Sequence, residues 1–299
     1  MTKSTATHAR DERFRHALLL CGTLLLASCA HQPGAWRPAP ILPDQVSAES
    51  QEQLATCRRA LAAATSGDRA GLDATEIRLL NWNVQKKRDL GWRSDFDRLA
   101  GNSDLVLMQE ASLGGLADSN FANGRHWSFA PGHSTQNSIT GVLTLSRSEP
   151  LARCTFTSIE PWLRTPKATS IAAFALEGRD ETLLVVNLHA VNFSFGLSDY
   201  KHQFHQIGRL LQGHEGPVIL AGDFNTWRKR RMQVVDSLAE SLDLQPVTFD
   251  DDTRIRFFGS ALDHIYVRQL QLVNAETATV YTSDHNPLVA VLSMPFAAP

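Results

Sequence analysis

The chain has 299 residues, enough for one large or two small domains. Hydrophobic residues make up 43 % and charged residues 20 %, an ordinary globular composition with ample material for a core. The formal net charge is −2, which excludes a protein that holds nucleic acid by bulk charge, and no repeat or bilayer-length apolar stretch is visible.

The first elements are not part of the fold. Lys3, Arg10, Arg13 and Arg15 form a basic region, and Ala17–Ala27 is an apolar segment of 11 residues, the size of a signal-peptide core. Leu26-Ala27-Ser28-Cys29 follows and resembles the bacterial lipobox, in which the Cys is acylated and becomes the new N-terminus. Cleavage after Ala30 by an ordinary secretory route is the alternative. Ala30 after the Cys points to an outer-membrane lipoprotein facing the periplasm, anchored by acyl chains at roughly 0.8 kcal/mol per buried CH₂. Residues 1–28 carry four basic and two acidic side chains, so the mature chain keeps 25 Lys plus Arg against 29 Asp plus Glu, a balance of −4. Cys57 and Cys154 would then meet an oxidising compartment, where they either pair or stay as buried thiols.

His31–Pro43 carries four prolines and reads as an extended tether. Helical spacing of Leu54, Cys57, Leu61 and Ala62 predicts a helix over 46–64. The expected organisation is a signal peptide over 1–28, a tether and helix over 29–75, and one domain over 76–299. Strands are predicted at 77–84, 105–110, 139–146, 169–176, 182–191, 217–224, 262–268 and 288–293. Helices are predicted at 199–212, with Tyr200, Phe204, Ile207 and Leu211 on one face, and at 231–243. This alternation predicts an α/β (α+β) fold of two packed mixed β-sheets flanked by helices.

Several predicted strands end in residues that handle phosphate or metal. Ile77–Leu80 runs into Asn81-Trp82-Asn83, Leu105–Met108 into Gln109-Glu110, and Leu183–Val186 into Asn187-Leu188-His189, with Asn192 beyond. A carboxylate such as Glu110 at the end of an apolar strand is costly unless paired or bound to a cation. In Gly222-Asp223-Phe224-Asn225 the glycine permits close approach of backbone to substrate, and an extended segment would point Asp223 and Asn225 the same way. An imidazole needs a carboxylate to fix its tautomer, and either Asp263 or Asp284 could serve His285.

Those four motifs, in that order, resemble the endonuclease/exonuclease/phosphatase superfamily from about residue 76 to 294, closest to an uncharacterised bacterial branch. The resemblance implies a DNase I-like four-layer sandwich and a Mg²⁺-dependent phosphodiester hydrolase, with Mn²⁺ as a substitute. It implies Glu110 as principal metal ligand, with Asn83 beside it and Asp284 as a second contact. It further implies that Asp223 orients water or protonates the leaving oxygen, and that Asn225 holds a phosphoryl oxygen. His189 and Asn192 would contact the scissile phosphate, and His285 with Asp263 would stabilise the transition state or act as base.

Arg228-Lys229-Arg230-Arg231 follows this loop closely, and basic residues are unfavourable at a helix start, which favours a role for the whole cluster, Arg228 and Arg230 foremost, in binding a polyanion or lipid headgroups. No long aromatic hairpin for membrane insertion is legible, and Trp162 and Trp227 are isolated candidates. The expectation is a monomeric, lipid-anchored nuclease, with a phospholipid or phosphoinositide-type phosphoesterase as the second reading. A non-catalytic envelope binding protein that kept only the fold is the third.

Overall fold

The computed structural model describes residues 48–67, 69–85, 91–112, 122, 124–136, 138–161, 163–194 and 196–295. The lipobox and Trp162 lie outside these residues. In chain order the elements are α1 (Ala48–Ala62), β1 (Ile77–Asn83), α2 (Trp92–Ala100), β2 (Leu105–Ser112), β3 (His126–Ser134), β4 (Ile139–Ser146), β5 (Ala152–Ile159), β6 (Pro166–Ala175) and β7 (Thr182–His189). They continue with α3 (Ser198–Leu211), β8 (Val218–Asp223), α4 (Lys229–Ser241), β9 (Gln245–Pro246), β10 (Arg256–Phe257), β11 (Ser260–Ala261), β12 (Asp263–Arg268), β13 (Gln271–Thr277) and β14 (Leu288–Ser293).

Two six-stranded sheets form, ordered β13-β14-β1-β2-β4-β3 and β5-β6-β7-β8-β12-β9, with β10–β11 a separate hairpin. Both sheets are mixed: β1–β2 and β7–β8 are parallel and the other pairs antiparallel. Strand alternation sorts the core into layers. Ile77 and Leu79 of β1, Leu105 and Leu107 of β2, Leu183 and Val185 of β7, Ile219 and Ala221 of β8, and Ile265 and Val267 of β12 pack together between the sheets. The opposite parity on β7 and β8 faces α1, α3 and α4, through residues such as Val186, Phe204, Leu220 and Leu238. On the first sheet it faces α2, where Leu80, Trp82, Val106 and Met108 pack against Phe96. The four-layer sandwich expected from the sequence is therefore the fold observed.

Helix α1 packs onto the second sheet through Leu54, Cys57 and Leu61, while Ala62 is exposed. A disulfide joins Cys57 to Cys154 on β5 across a Cα separation of 5.5 Å, closing a 97-residue span. Seven elements were not expected from the sequence: α2, β3, β5, β13 and the two-residue strands β9, β10 and β11. β3, β5 and β13 are half-exposed strands on or near sheet edges, with burial too irregular to carry an apolar alternation.

Within the middle layer, apolar residues give way to polar ones at one end of both sheets. Gln109 of β2 is fully buried there and its amide donates to Asn81 Oδ1 of β1 at 2.9 Å and to Asn187 Oδ1 of β7 at 2.8 Å. Asn187 in turn donates to Leu143 O at 3.0 Å. This amide bridge ties one sheet to the other. Gln109→Leu should leave two buried acceptors without their donor and lower stability by roughly 2 kcal/mol or more, measured as a fall in the urea midpoint with an unchanged m-value.

Candidate active site

The site is the continuation of the middle layer past the amide bridge. Asn83, His189, Asp223 and Asp263 keep the parity of the apolar residues that face between the sheets, so regular strands deliver them to one place. Asp223 and Asp263 are directly opposite each other on antiparallel β8 and β12, and His189 is in register with Asp223 on β7. Asn83 donates its amide to Asp223 Oδ2 at 3.1 Å, and His189 Nε2 lies 3.5 Å from the same oxygen.

Glu110 reaches the site by a different route. Alternation from Val106 and Met108 would send it to the outer face. A bulge between Met108 and Ala111 in the β2–β4 pairing inserts one extra residue, and Glu110 takes φ +53°. The bulge turns the carboxylate back, so that it lines a pocket with Thr140, Lys167 and His189, its Oε1 3.9 Å from His189 Nε2. A left-handed backbone at a non-glycine residue costs energy that regular structure avoids, and such strain concentrates where a side chain must be aimed.

His285 Nδ1 is 2.7 Å from Asp263 Oδ2, so of the two aspartates that could serve it, Asp263 is the partner. The ring is fixed from behind as well. Trp82 Nε1 donates to His285 O at 3.0 Å, His285 N donates to Ser283 Oγ at 3.1 Å, and Ser283 Oγ donates to Asn83 O at 2.7 Å. Asp284 is exposed beside this ring. Burial alone would lower the imidazole, but Asp263, through its charge and its hydrogen bond, together with Asp223 and Asp284 outweighs it and raises His285 to about 10. Desolvation raises Asp223 to about 6, with neighbouring Asp263 adding to the rise and His285 and Lys167 opposing it.

Two local expectations are corrected. Gly222 makes room for a neighbouring strand and not for substrate: a Cβ there, at φ +151°, would stand 1.9 Å from Leu188 O on β7. Asn225 is not in an extended segment; it sits at φ +51°, donates its backbone N–H to Asp223 Oδ1 at 3.0 Å and its amide to Ala190 O at 3.1 Å. Asn192 is drawn aside, its Oδ1 accepting from Trp227 Nε1 at 2.9 Å and its N–H bonding Glu160 at 2.8 Å.

The basic run also divides. Arg228, Lys229 and Arg230 are exposed, with Arg228 over the Trp227 ring, but Arg231 is buried. Its guanidinium lies over Tyr200 and donates to Val191 O at 2.6 Å, Asn192 O at 2.5 Å and Asn225 O at 3.3 Å. Arg231 therefore pins together the two loops that follow β7 and β8. Lys167 at the start of β6 escaped the sequence reading. Its Nζ lies 2.9 Å from His189 Nε2 and 3.8 Å from buried Glu160. A lone Lys beside Pro166 carries no motif; only the β6–β7 pairing brings it in.

Among the described residues no group of three or more His, Cys, Asp or Glu is arranged as a metal cage. The donor set still fits a hard cation. Mg²⁺ retains several waters and is typically held by one or two carboxylates, and here Glu110 and Asp223 lie within 4 Å of one imidazole nitrogen, with the Asn83 amide on Asp223.

Two mixed sheets with carboxylates, amides and imidazoles gathered at one end define a phosphoesterase-type fold. The chain belongs to the endonuclease/exonuclease/phosphatase family, whose model matches residues 80–285. It is 36 % identical over 229 residues to a UPF0294 protein of Vibrio campbellii, covering 73 % of this chain and 78 % of that one. Among solved structures it resembles the mannosyl-6-phosphatase Bt3783 of Bacteroides thetaiotaomicron, at TM-score 0.53 and 17 % identity over 73 % of this chain and all of that one. It also resembles D. rerio TDP2 complexed with single-strand DNA product, at TM-score 0.52 and 15 % identity over 73 % and 99 % of the two chains.

The raised His285 has a consequence for stability. A folded-state value near 10 against about 6.5 unfolded means that its contribution is complete below about pH 6.5 and is lost as pH rises toward 10. In chelator, the stability gap between the native chain and His285→Gln should be constant from pH 5 to 6 and shrink steadily from pH 7 to 10 in urea titrations.

Proposed function

We propose that the protein is a divalent-metal-dependent phosphodiester hydrolase. The observation that carries this reading is the convergence of Glu110, Asn83, His189, Asp223 and the Asp263–His285 pair at one sheet end. Mg²⁺, or Mn²⁺ in its place, would be held by Glu110 with Asn83 alongside and Asp284 at the rim, and when bound it supplies charge against the phosphoryl oxygens.

The chain's own groups divide the remaining work. With Nδ1 committed to Asp263 and a value near 10, His285 is an imidazolium at neutral pH. That favours a role as electrostatic donor to the transition state over a role as base. Asp223, raised to about 6 and held by Asn83, is the group suited to take a proton from water or pass one to the leaving oxygen. Asn225 orients Asp223 through its backbone N–H, and its side chain, already bonded to Ala190 O, lies beside the same carboxylate. Lys167 beside His189 adds a second cation for phosphate.

Nucleic acid is the first substrate class, supported by the exposed Arg228, Lys229 and Arg230 near Asp223 and by the DNA product held by the TDP2 neighbour. A phospholipid headgroup is the second. We place the protein in the bacterial envelope, held by acyl chains on Cys29.

Glu110→Gln should abolish turnover in a Mg²⁺ and Mn²⁺ substrate panel while circular dichroism and melting stay native; unchanged turnover would sink the metal assignment. His285→Ala should cost about 10²-fold or more in rate. Asp263→Asn should impair the same step, and the double variant should be little worse than His285→Ala, since the two act as one unit. Neutralising Arg228, Lys229 and Arg230 together, with Arg231 left in place, should raise KM for DNA or RNA and flatten its salt dependence with little change in kcat. An unaltered KM and salt slope would move the preference to a lipid substrate.

A further inference from the structure

The end of the domain that holds the site also holds an apolar rim. Ile159 and Leu163 are exposed on the β5–β6 turn, and Phe193 on the loop after β7. Phe257 and Phe258 form the tip of the β10–β11 hairpin, with Phe258 80 % exposed, and Tyr281 in the β13–β14 loop is 93 % exposed. Each segment adjoins a site residue: Lys167 follows the first, His189 precedes the second, Asp263 follows the third and His285 the fourth. Of the other exposed large hydrophobics among the described residues, Ile139 and Ile255 are only 36 % and 37 % exposed, and Trp127, Leu272 and Val273 belong to the opposite ends of the strands. Single exposed apolar residues are ordinary, but separate loops presenting them around one opening are a surface with a purpose.

Two further observations say what covers it. Exposed basic side chains stand among the apolar tips on the loops of the second sheet: Arg164 beside Leu163, and Arg228, Lys229 and Arg230 after the β8 loop. Among the described residues the exposed acids at this end, Asp284 and Asp250–Asp251, lie on the β13–β14 loop and on the segment bonded to its base through Thr277. The second observation is the direction of α1. Gln53 bonds Thr155 O in the middle of β5, Cys57 is joined to Cys154 one residue further from the site, and Ser66, past the end of the helix, donates to Glu181 O just before β7, at the pole away from the site. Since β5 runs toward the site end, α1 runs away from it, and the chain enters the domain at the same pole as the rim.

We propose that this pole docks on an anionic lipid surface, its apolar tips entering the interfacial region and the neighbouring arginines meeting headgroups. Apolar tips flanked by Arg and Lys are the composition that binds such interfaces. The rim is broken among separate loops, so it lacks the contiguous apolar centre of a protein interface. Aliphatic Ile159 and Leu163 cannot stack on bases as a single-strand platform requires. Docking goes beyond the chemistry proposed above and does not depend on it.

The test uses the full chain and vesicles of phosphatidylcholine and phosphatidylglycerol brominated on their acyl chains. Bromine quenches indole only when the ring reaches the bilayer. Phe258→Trp and Tyr281→Trp place probes on the rim, and Val273→Trp places one at the opposite pole, all at exposed positions that leave the core intact. Rim probes should gain strong quenching over the native chain, and Val273→Trp should gain none. Adding Glu110→Gln should leave the quenching unchanged, which separates failed docking from failed chemistry. Equal quenching at both poles, or none at the rim, overturns the proposal. So does a change in Phe258→Trp emission with single-stranded oligonucleotide and not with vesicles.

Discussion

Everything functional in this fold depends on how the layer between the sheets ends. For most of its length the layer is dry, filled by Leu, Ile, Val and Ala from both sheets. An amide cannot be buried there without partners, at a cost of about 1–3 kcal/mol for each group left unmade. Gln109 Nε2 serves the Asn81 and Asn187 oxygens across the gap and Leu143 O accepts from Asn187, while Asn81 Nδ2 and Gln109 Oε1 remain unpaired. The three amides form one buried polar rung on β1, β2 and β7. One step further the groups become Asn83 on β1, His189 on β7 and Asp223 on neighbouring β8, still of the same parity and still buried. The site is therefore the polar continuation of a packed layer, positioned by strands instead of by loops alone.

The same geometry creates an electrostatic tension. Asp223 and Asp263 face each other across antiparallel strands, and both are almost wholly buried. Burial does most to raise Asp223 to about 6, and the facing Asp263 carboxylate, which resists a second charge beside it, adds to the rise. His285 and Lys167 offset part of that charge from two sides. A cation near Glu110 would offset more, which gives a physical reason for the donor set beyond family likeness. Strain points the same way. Regular pairing alone would have left Glu110 on the helix-covered face, and the bulge with its φ of +53° is what brings a third acid toward His189 and Asp223.

Much of this was legible in the sequence, for a reason that can be stated. Strands buried on both faces read as unbroken apolar runs, so β1, β2, β7 and β8 and the polar residues that end them stood out. For His285 the residues alone left both Asp263 and Asp284 open and only the family resemblance favoured Asp263, because the pair forms between the β13–β14 loop and the start of β12. Strands β3, β5 and β13 bury too little to leave an alternation. Lys167 and Glu160 carry no local pattern and enter the site only through tertiary pairing. Arg231 was misread for the opposite reason: a run of four basic residues looks like one surface, and composition cannot separate the one that turns inward.

Arg231 also links the two halves of the functional argument. A guanidinium buried among carbonyls is acceptable only when its donors are met, and three backbone oxygens from the β7 and β8 loops accept from it while Tyr200 and Trp227 flank its plane. Removing it would take that shared donor from both loops, leaving Asn192 with its bonds to Trp227 and Glu160 and Asn225 with its bonds to Asp223 and Ala190. The loop it holds on one side presents Phe193 to solvent, and the loop on the other carries Arg228. One buried cation thus ties together the loops that follow β7 and β8, which carry Asn192, Asn225, Phe193 and Arg228. A surface built this way cannot rearrange without disturbing the site, so whatever the rim rests on is held at a set distance from Asp223.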